Sequence, residues 1–418
     1  MKRKNSGKYI IWCIGMTSFI LLYWIFAHWT DGTSLLQYIF HNVDDSFEDF
    51  FSMMSIADDR NIYEQGISYP PLAMVIFKLL NNFVPREILN AGPRVMQSKI
   101  FALFVYMVFC IVCLLSMGLM ITDKLQVKKW EKVSCLYLVM LSGPMLYLLQ
   151  RGNILLLALV LTMFYCFYYD SESKVVRELA YLSLAIAAGI KIYPAIFGLL
   201  LVQDKKYKET IRLIIYGIVF FTVPFLHYGG FREMITMFQA LGGANFTAHG
   251  FGYNVSFDNF IRLSYHLLGH DMEHISVWWN LIPIVVSFFI FLFAGAKWKR
   301  NLGLTLLLIW LPSFSYTYVL TFLLIPLILF FNEEKRKLDW YYSLLLVILL
   351  APASFGIYER ANWINAEIWY PVTNYMYAIN IVLLVLGFSL VIEVLVRYIK
   401  LWWSKCKKGG EVASYPDV

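Results

Sequence analysis

Ile100-Phe-Ala-Leu-Phe-Val-Tyr-Met-Val-Phe-Cys110-Ile-Val-Cys113-Leu-Leu-Ser-Met-Gly-Leu-Met-Ile-Thr122 runs from end to end without a charged side chain. A helix of roughly 20 apolar residues crosses the ~30 Å hydrocarbon core of a bilayer. Backbone polar groups cannot be left unpaired there, so such a run must be helical. The pattern recurs at Ile10–Ala27, Leu213–Leu226, Met376–Leu395 and around Tyr342–Leu350. The strict alternation of membrane β-barrel strands is absent. With 60% hydrophobic and 15% charged residues, the chain reads as an all-α, polytopic transmembrane helical bundle.

The net charge is +7. Its basic residues lie in short loops between apolar runs, which fits membrane orientation and argues against a nucleic-acid partner. Place Lys2, Arg3 and Lys4 inside. The clusters Lys124–Lys132, Lys174–Arg177, Lys205–Arg212, Lys297–Arg300, Lys335–Lys337 and Lys400–Lys408 then return to the same side. Both termini are expected in the cytoplasm of a multi-pass cell-membrane protein. The long outer loops fall at about residues 28–97 and 227–276. The expected count is about 12 spans, including short broken helices. The apolar segment ending near Phe83 is short and reads as re-entrant or interfacial. The N-terminal run lacks a small-residue cleavage site and reads as a retained anchor. Residues 1–403 form one transmembrane domain, and 404–418 a disordered cytoplasmic tail.

Function must then rest on polar residues gathered at the outer face. Three places interrupt apolar helices near their outer ends: Arg151-Gly-Asn153, Lys191-Ile-Tyr-Pro194 and Pro312–Tyr318. A charge at membrane depth costs roughly 2.5–3.5 kcal/mol on insertion scales, and proline frees backbone groups that need partners. Such features mark a cavity. Carboxylates in the first outer loop, among them Asp44, Asp45 and Asp49, can act as a general base. Arg151 and Lys191 can hold a phosphate and stabilise a leaving group. The bland alternative is that both cations only snorkel to lipid phosphates.

Five separated motifs over about residues 40–330 resemble the polytopic C-type glycosyltransferases, most closely glycosyltransferase family 87. They are Asp49-Phe50 with Asn61-Ile-Tyr63 and Tyr69-Pro-Pro-Leu72; Arg151-Gly-Asn153-Ile154; Ala187-Ala-Gly-Ile-Lys191-Ile-Tyr-Pro194; Tyr253-Asn-Val-Ser256-Phe followed by Arg262; and Pro312-Ser-Phe-Ser-Tyr-Thr-Tyr318. The resemblance implies the C-type fold and an inverting transfer of a sugar, mannose by family default, from a polyprenyl-phosphate donor to a lipid-linked or glycan acceptor. Asp49 would be the base, with Asp44 and Asp45 as competitors. Lys191 would bind the donor phosphate, assisted by Arg151 and Tyr318. Tyr69, Asn153, Tyr193, Asn254, Ser256 and Arg262 would contact substrate. One departure is Tyr318, where the family often has histidine. Tyrosine can hydrogen-bond a phosphate but carries no positive charge at neutral pH.

Two other classes compete: a transporter or flippase for a polyprenyl-linked glycan, and a polysaccharide polymerase. A transporter often shows paired repeats broken at the midplane; no internal repeat is evident, and the polar residues gather at one face. No cofactor and no metal are expected. Cys110 and Cys113 have no second pair nearby. His266, His270 and His274 are spaced for one helical face, but Trp278-Trp279 beside them suggests an interfacial helix.

Overall fold

The computed structural model describes residues 7–32, 46–243, 254–269, 277–312, 315–352 and 373–407. Among these, regular structure is helical apart from one isolated antiparallel bridge between Asn254 and Tyr316. Four helices are long and apolar enough to cross a membrane: Gly7–Trp29, Ile100–Lys124, Tyr207–Leu226 and Tyr377–Ser404. Lys129–Met140 and Gly143–Arg151 form a pair bent by 54°, a fifth crossing if counted together. The bend has a cause in sequence, since Pro144 lies in the first turn of the second helix and cannot continue the first. Pro71–Asn81, Leu155–Tyr168, Tyr193–Gln203, Trp278–Phe293, Thr317–Asn332 and Asp339–Leu350 are apolar but shorter. Helix length therefore supports an all-α membrane protein and does not establish about 12 crossings.

The Ile100–Lys124 helix shows how an almost wholly apolar sequence still orients itself. Ala102, Val105, Tyr106, Cys110, Cys113, Met117 and Met120 are buried at spacings of three and four, while Phe104, Ile111, Leu115 and Leu119 are exposed. Lipid is as apolar as the protein interior, so packing shape rather than polarity selects the inner face.

Leu155–Tyr168 and Lys174–Ile190 are neighbours joined by a short turn, so they run in opposite directions. Tyr169 and Lys174 share one end of the bundle, and Asn153 and Lys191 share the other. The first end is tied by ion pairs: Lys297 to Asp170 (2.7 Å), Arg300 to Asp204 (2.9 Å) and Lys299 to Glu393 (2.5 Å). Lys8 reaches Asp339 there at 3.7 Å, fastening the first helix to the Asp339–Leu350 helix. At the second end, the segment expected to be re-entrant is the Pro71–Asn81 helix, which buries Ala73, Met74 and Phe77.

Candidate active site

Asp49 lies in the first turn of the Glu48–Ile56 helix. That helix begins at Phe47, a left-handed residue with φ 61°, and the Phe47 N–H donates to the Gln150 carbonyl at 2.6 Å. Left-handed backbone costs a residue with a side chain roughly 1–2 kcal/mol. Its ring packs against Tyr106 with centroids 4.7 Å apart. The facing turn comes this close because Gly152 is also left-handed, at φ +67°, and has no side chain. A Cβ there would stand 2.9 Å from the Phe47 Cα and 3.0 Å from the Phe50 Cβ.

This approach delivers the two residues flanking Gly152 to one carboxylate. Arg151 Nη2 lies 2.5 Å from Asp49 Oδ1, and Asn153 Nδ2 donates to Asp49 Oδ2 at 2.7 Å. Glu48 is a second carboxylate 3.5 Å from Arg151 Nη2. Asn153 is buried, and its Oδ1 accepts the Leu155 N–H at 2.9 Å, which fixes which way the amide points. Its Nδ2 also lies 2.9 Å from the Tyr69 hydroxyl and 3.3 Å from that of Tyr318. Two hydrogens face three oxygens, so each tyrosine hydroxyl keeps its own hydrogen for another acceptor.

Tyr69 joins this cluster to Lys191. The lysine Nζ sits 3.7 Å from the Tyr69 ring centroid, an attraction worth roughly 0.5–2 kcal/mol. Lys191 follows the last turn of the Lys174–Ile190 helix, where the chain breaks before Pro194. Gly189 lets that helix close on its neighbours: a Cβ there would meet Leu72 at 2.8 Å and the Phe220 carbonyl at 3.0 Å. Tyr63 donates to the Tyr69 carbonyl at 3.0 Å and pins it from behind. Among the described residues no carboxylate lies within salt-bridge reach of Lys191. Burial pulls its pKa down to about 8, and the charge on Asp49 pulls the other way.

The late turn closes the site. Tyr318 stacks on Tyr147 with centroids 5.8 Å apart, and Tyr316 packs against Tyr318 at 5.4 Å. Asn254 Oδ1 accepts the N–H groups of Ser256 (3.0 Å) and Ser315 (2.9 Å), and the Val255 N–H donates to the Ser315 carbonyl at 2.7 Å. Ser256 Oγ accepts the Asn259 N–H at 3.2 Å at the start of the Phe257–Leu267 helix. These bonds join the Asn254–Ser256 segment to the late turn. Arg262 is held by Asp258 one turn away at 2.7 Å. Tyr193 meets Phe322 edge-on at 6.1 Å.

Asp49, Tyr69, Arg151, Asn153, Lys191 and Tyr318 thus come together in one linked cluster. Asp44, Asp45, His270 and His274 lie outside the described residues. Among the described residues no group of three metal-type ligands occurs. The sequence reading gave no site role to Gly152, Tyr63, Tyr147 or Gln150, although Gly152 and Tyr63 lie within its motifs. Gly152 alone carried a signal, as the glycine between two polar residues at a helix end.

The sequence profile of glycosyltransferase family 87 matches residues 68–326. The chain belongs to glycosyltransferase family 87. The resemblance carried by the quoted motifs therefore holds, and the chain is a membrane glycosyltransferase that takes a sugar donor and an acceptor. The match spans Tyr69, Arg151, Asn153, Lys191 and Tyr318 but begins after Asp49. Asp49 joins the cluster through its contacts with Arg151 and Asn153. No curated protein and no solved structure matches the chain.

Proposed function

We propose that this family 87 enzyme transfers a hexose, mannose by family default, from a polyprenyl-phosphate sugar to a hydroxyl of a lipid-linked or glycan acceptor. The reaction takes place at the outer face of a cell membrane, with both termini in the cytoplasm. The observation that carries this reading is the arrangement around Tyr69. A lysine with no carboxylate partner among the described residues lies over its ring, and a carboxylate reaches its hydroxyl end through Asn153.

An acceptor hydroxyl attacks C1 of the sugar from the face opposite the phosphate. The new C–O bond forms as the bond from C1 to the phosphate oxygen breaks, which inverts C1. The acceptor proton passes to Asp49, and polyprenyl phosphate leaves with the electron pair. Lys191 and Arg151 stabilise the charge that grows on the departing phosphate. The hydrogens of Tyr69 and Tyr318 supply further donors. Arg151 is paired with Asp49, so the cation that helps hold the phosphate also orients the base.

The test is transfer of labelled hexose from polyprenyl-phosphate mannose, glucose and galactose into a membrane lipid extract by purified enzyme. Asp49→Asn should lower kcat by ~10²–10⁴-fold. Undiminished transfer by Asp49→Asn would remove Asp49 from the role of base.

A further inference from the structure

Gln150 immediately precedes Arg151, at the end of the Gly143–Arg151 helix. It is only 4% exposed, yet neither its Nε2 nor its Oε1 has a hydrogen-bond partner. Among the described residues no other side chain leaves two polar atoms unpaired. Two of the other unpaired groups, Trp12 Nε1 and Trp310 Nε1, belong to large rings packed in the apolar core. Gln150 has no comparable apolar body to bury. Buried polar groups are nearly always satisfied, and one that is not calls for a missing partner.

Its position says what that partner is. The Gln150 carbonyl takes the Phe47 N–H, so the residue borders the start of the Asp49 helix. Its side chain shares a helix face with Tyr147, one turn back, and Tyr147 stacks on Tyr318. The amide therefore lies on the side of the helix that meets Tyr318, while its neighbour Arg151 reaches Asp49. A carboxamide offers two donor hydrogens and an acceptor oxygen. A bare phosphate supplies only acceptors and would leave the oxygen unpaired. Vicinal hydroxyls of a sugar both donate and accept, and satisfy both ends.

We propose that Gln150 is a specificity-determining residue whose amide pairs with hydroxyls of the transferred hexose. This rests on the transferase reading above and narrows it. The sugar ring lies between the base and the phosphate, and Gln150 reads its hydroxyl pattern from the Tyr318 side. A site that hydrogen-bonds a substrate hydroxyl rejects the analogue lacking it, because the protein group is then left unpaired.

The test carries the hexose that wild type uses forward to its monodeoxy polyprenyl-phosphate analogues. Wild type should disfavour at least one analogue by about tenfold or more in kcat/KM. Gln150→Leu should lower kcat/KM for the full sugar by roughly 10–100-fold and lose discrimination against that analogue. It should melt no lower than wild type, since it removes an unpaired buried amide; Gln150→Met repeats the measurement if the leucine variant does not fold. A variant that keeps both its rate and its discrimination overturns the inference and leaves the amide a hydrated structural group. Wild type that transfers no hexose from any of these polyprenyl-phosphate donors overturns the proposed donor reading, and the inference with it.

Discussion

Replacing Gly152 with alanine should loosen the whole site while changing no charged residue. Two costs add. A non-glycine residue at φ +67° costs roughly 1–2 kcal/mol. The new Cβ would also press on the Phe47 Cα at 2.9 Å and the Phe47 carbonyl at 3.2 Å. Both are backbone atoms that cannot swing aside, and overpacking of that kind costs roughly 1–3 kcal/mol. The sum is ~2–5 kcal/mol if nothing relaxes. The relaxation available is to push the Glu48–Ile56 helix away from the Arg151 turn. That separates Asp49 from Arg151 and Asn153, and a misplacement of ~1 Å costs ~10²-fold in rate. Gly152→Asn separates the two costs, because asparagine tolerates left-handed backbone but keeps a Cβ. Both variants should lose activity, and alanine should lose more stability. The assay is thermal unfolding in detergent alongside kcat for labelled transfer. An alanine variant with wild-type kcat would refute the idea that the close approach at Gly152 positions the base.

Three further outcomes follow from the same contacts. Lys191 in the free enzyme is charged below about pH 8 and neutral above it. Donor kcat/KM should therefore fall as pH rises through that value, and Lys191→Arg should move the falling limb to much higher pH; a profile flat to pH 10 in wild type would remove Lys191 from phosphate binding. Asn153→Asp would face Asp49 with a second carboxylate where an amide now donates at 2.7 Å, so transfer should drop by at least ~10-fold while Asn153→Ala leaves Asp49 held by Arg151 and loses less. Asn254→Ala would leave the buried Ser315 N–H without its acceptor, lowering the melting temperature by an amount equivalent to ~1–3 kcal/mol and raising donor KM as the Tyr318 turn loosens.

Most of the candidate site was legible because its residues break rules that the rest of the chain obeys. Arg151 and Lys191 are charges at the ends of apolar helices, and Pro194 stops a helix that would otherwise continue. What stayed hidden depends on distance in space. Nothing in the sequence says that Phe47 and Gly152 touch, so the contact of Asp49 with the Arg151 turn could not be foreseen. Asn254 and Ser256 were read as hydroxyl-orienting residues, yet the contacts described for them serve the backbone of the Ser315 turn and a helix start. Their residue types suit either task. Gln150 carried no signal, since a buried amide without a partner can be recognised only once its neighbours are known. The number of crossings stayed open because many apolar helices are shorter than a bilayer is thick.

The position of Tyr69 has one more consequence. A single side chain offers its ring to the lysine and its hydroxyl to the amide that steadies the carboxylate. On the proposed roles, grip on the leaving group and readiness to take a proton are mechanically geared. A mutation that shifts this ring alters both at once, and effects at Lys191 and Asn153 should not add independently. Diversification of the enzyme toward new sugars or acceptors is steered to the periphery, to positions such as Gln150, while residue 69 works as the axle on which both halves turn.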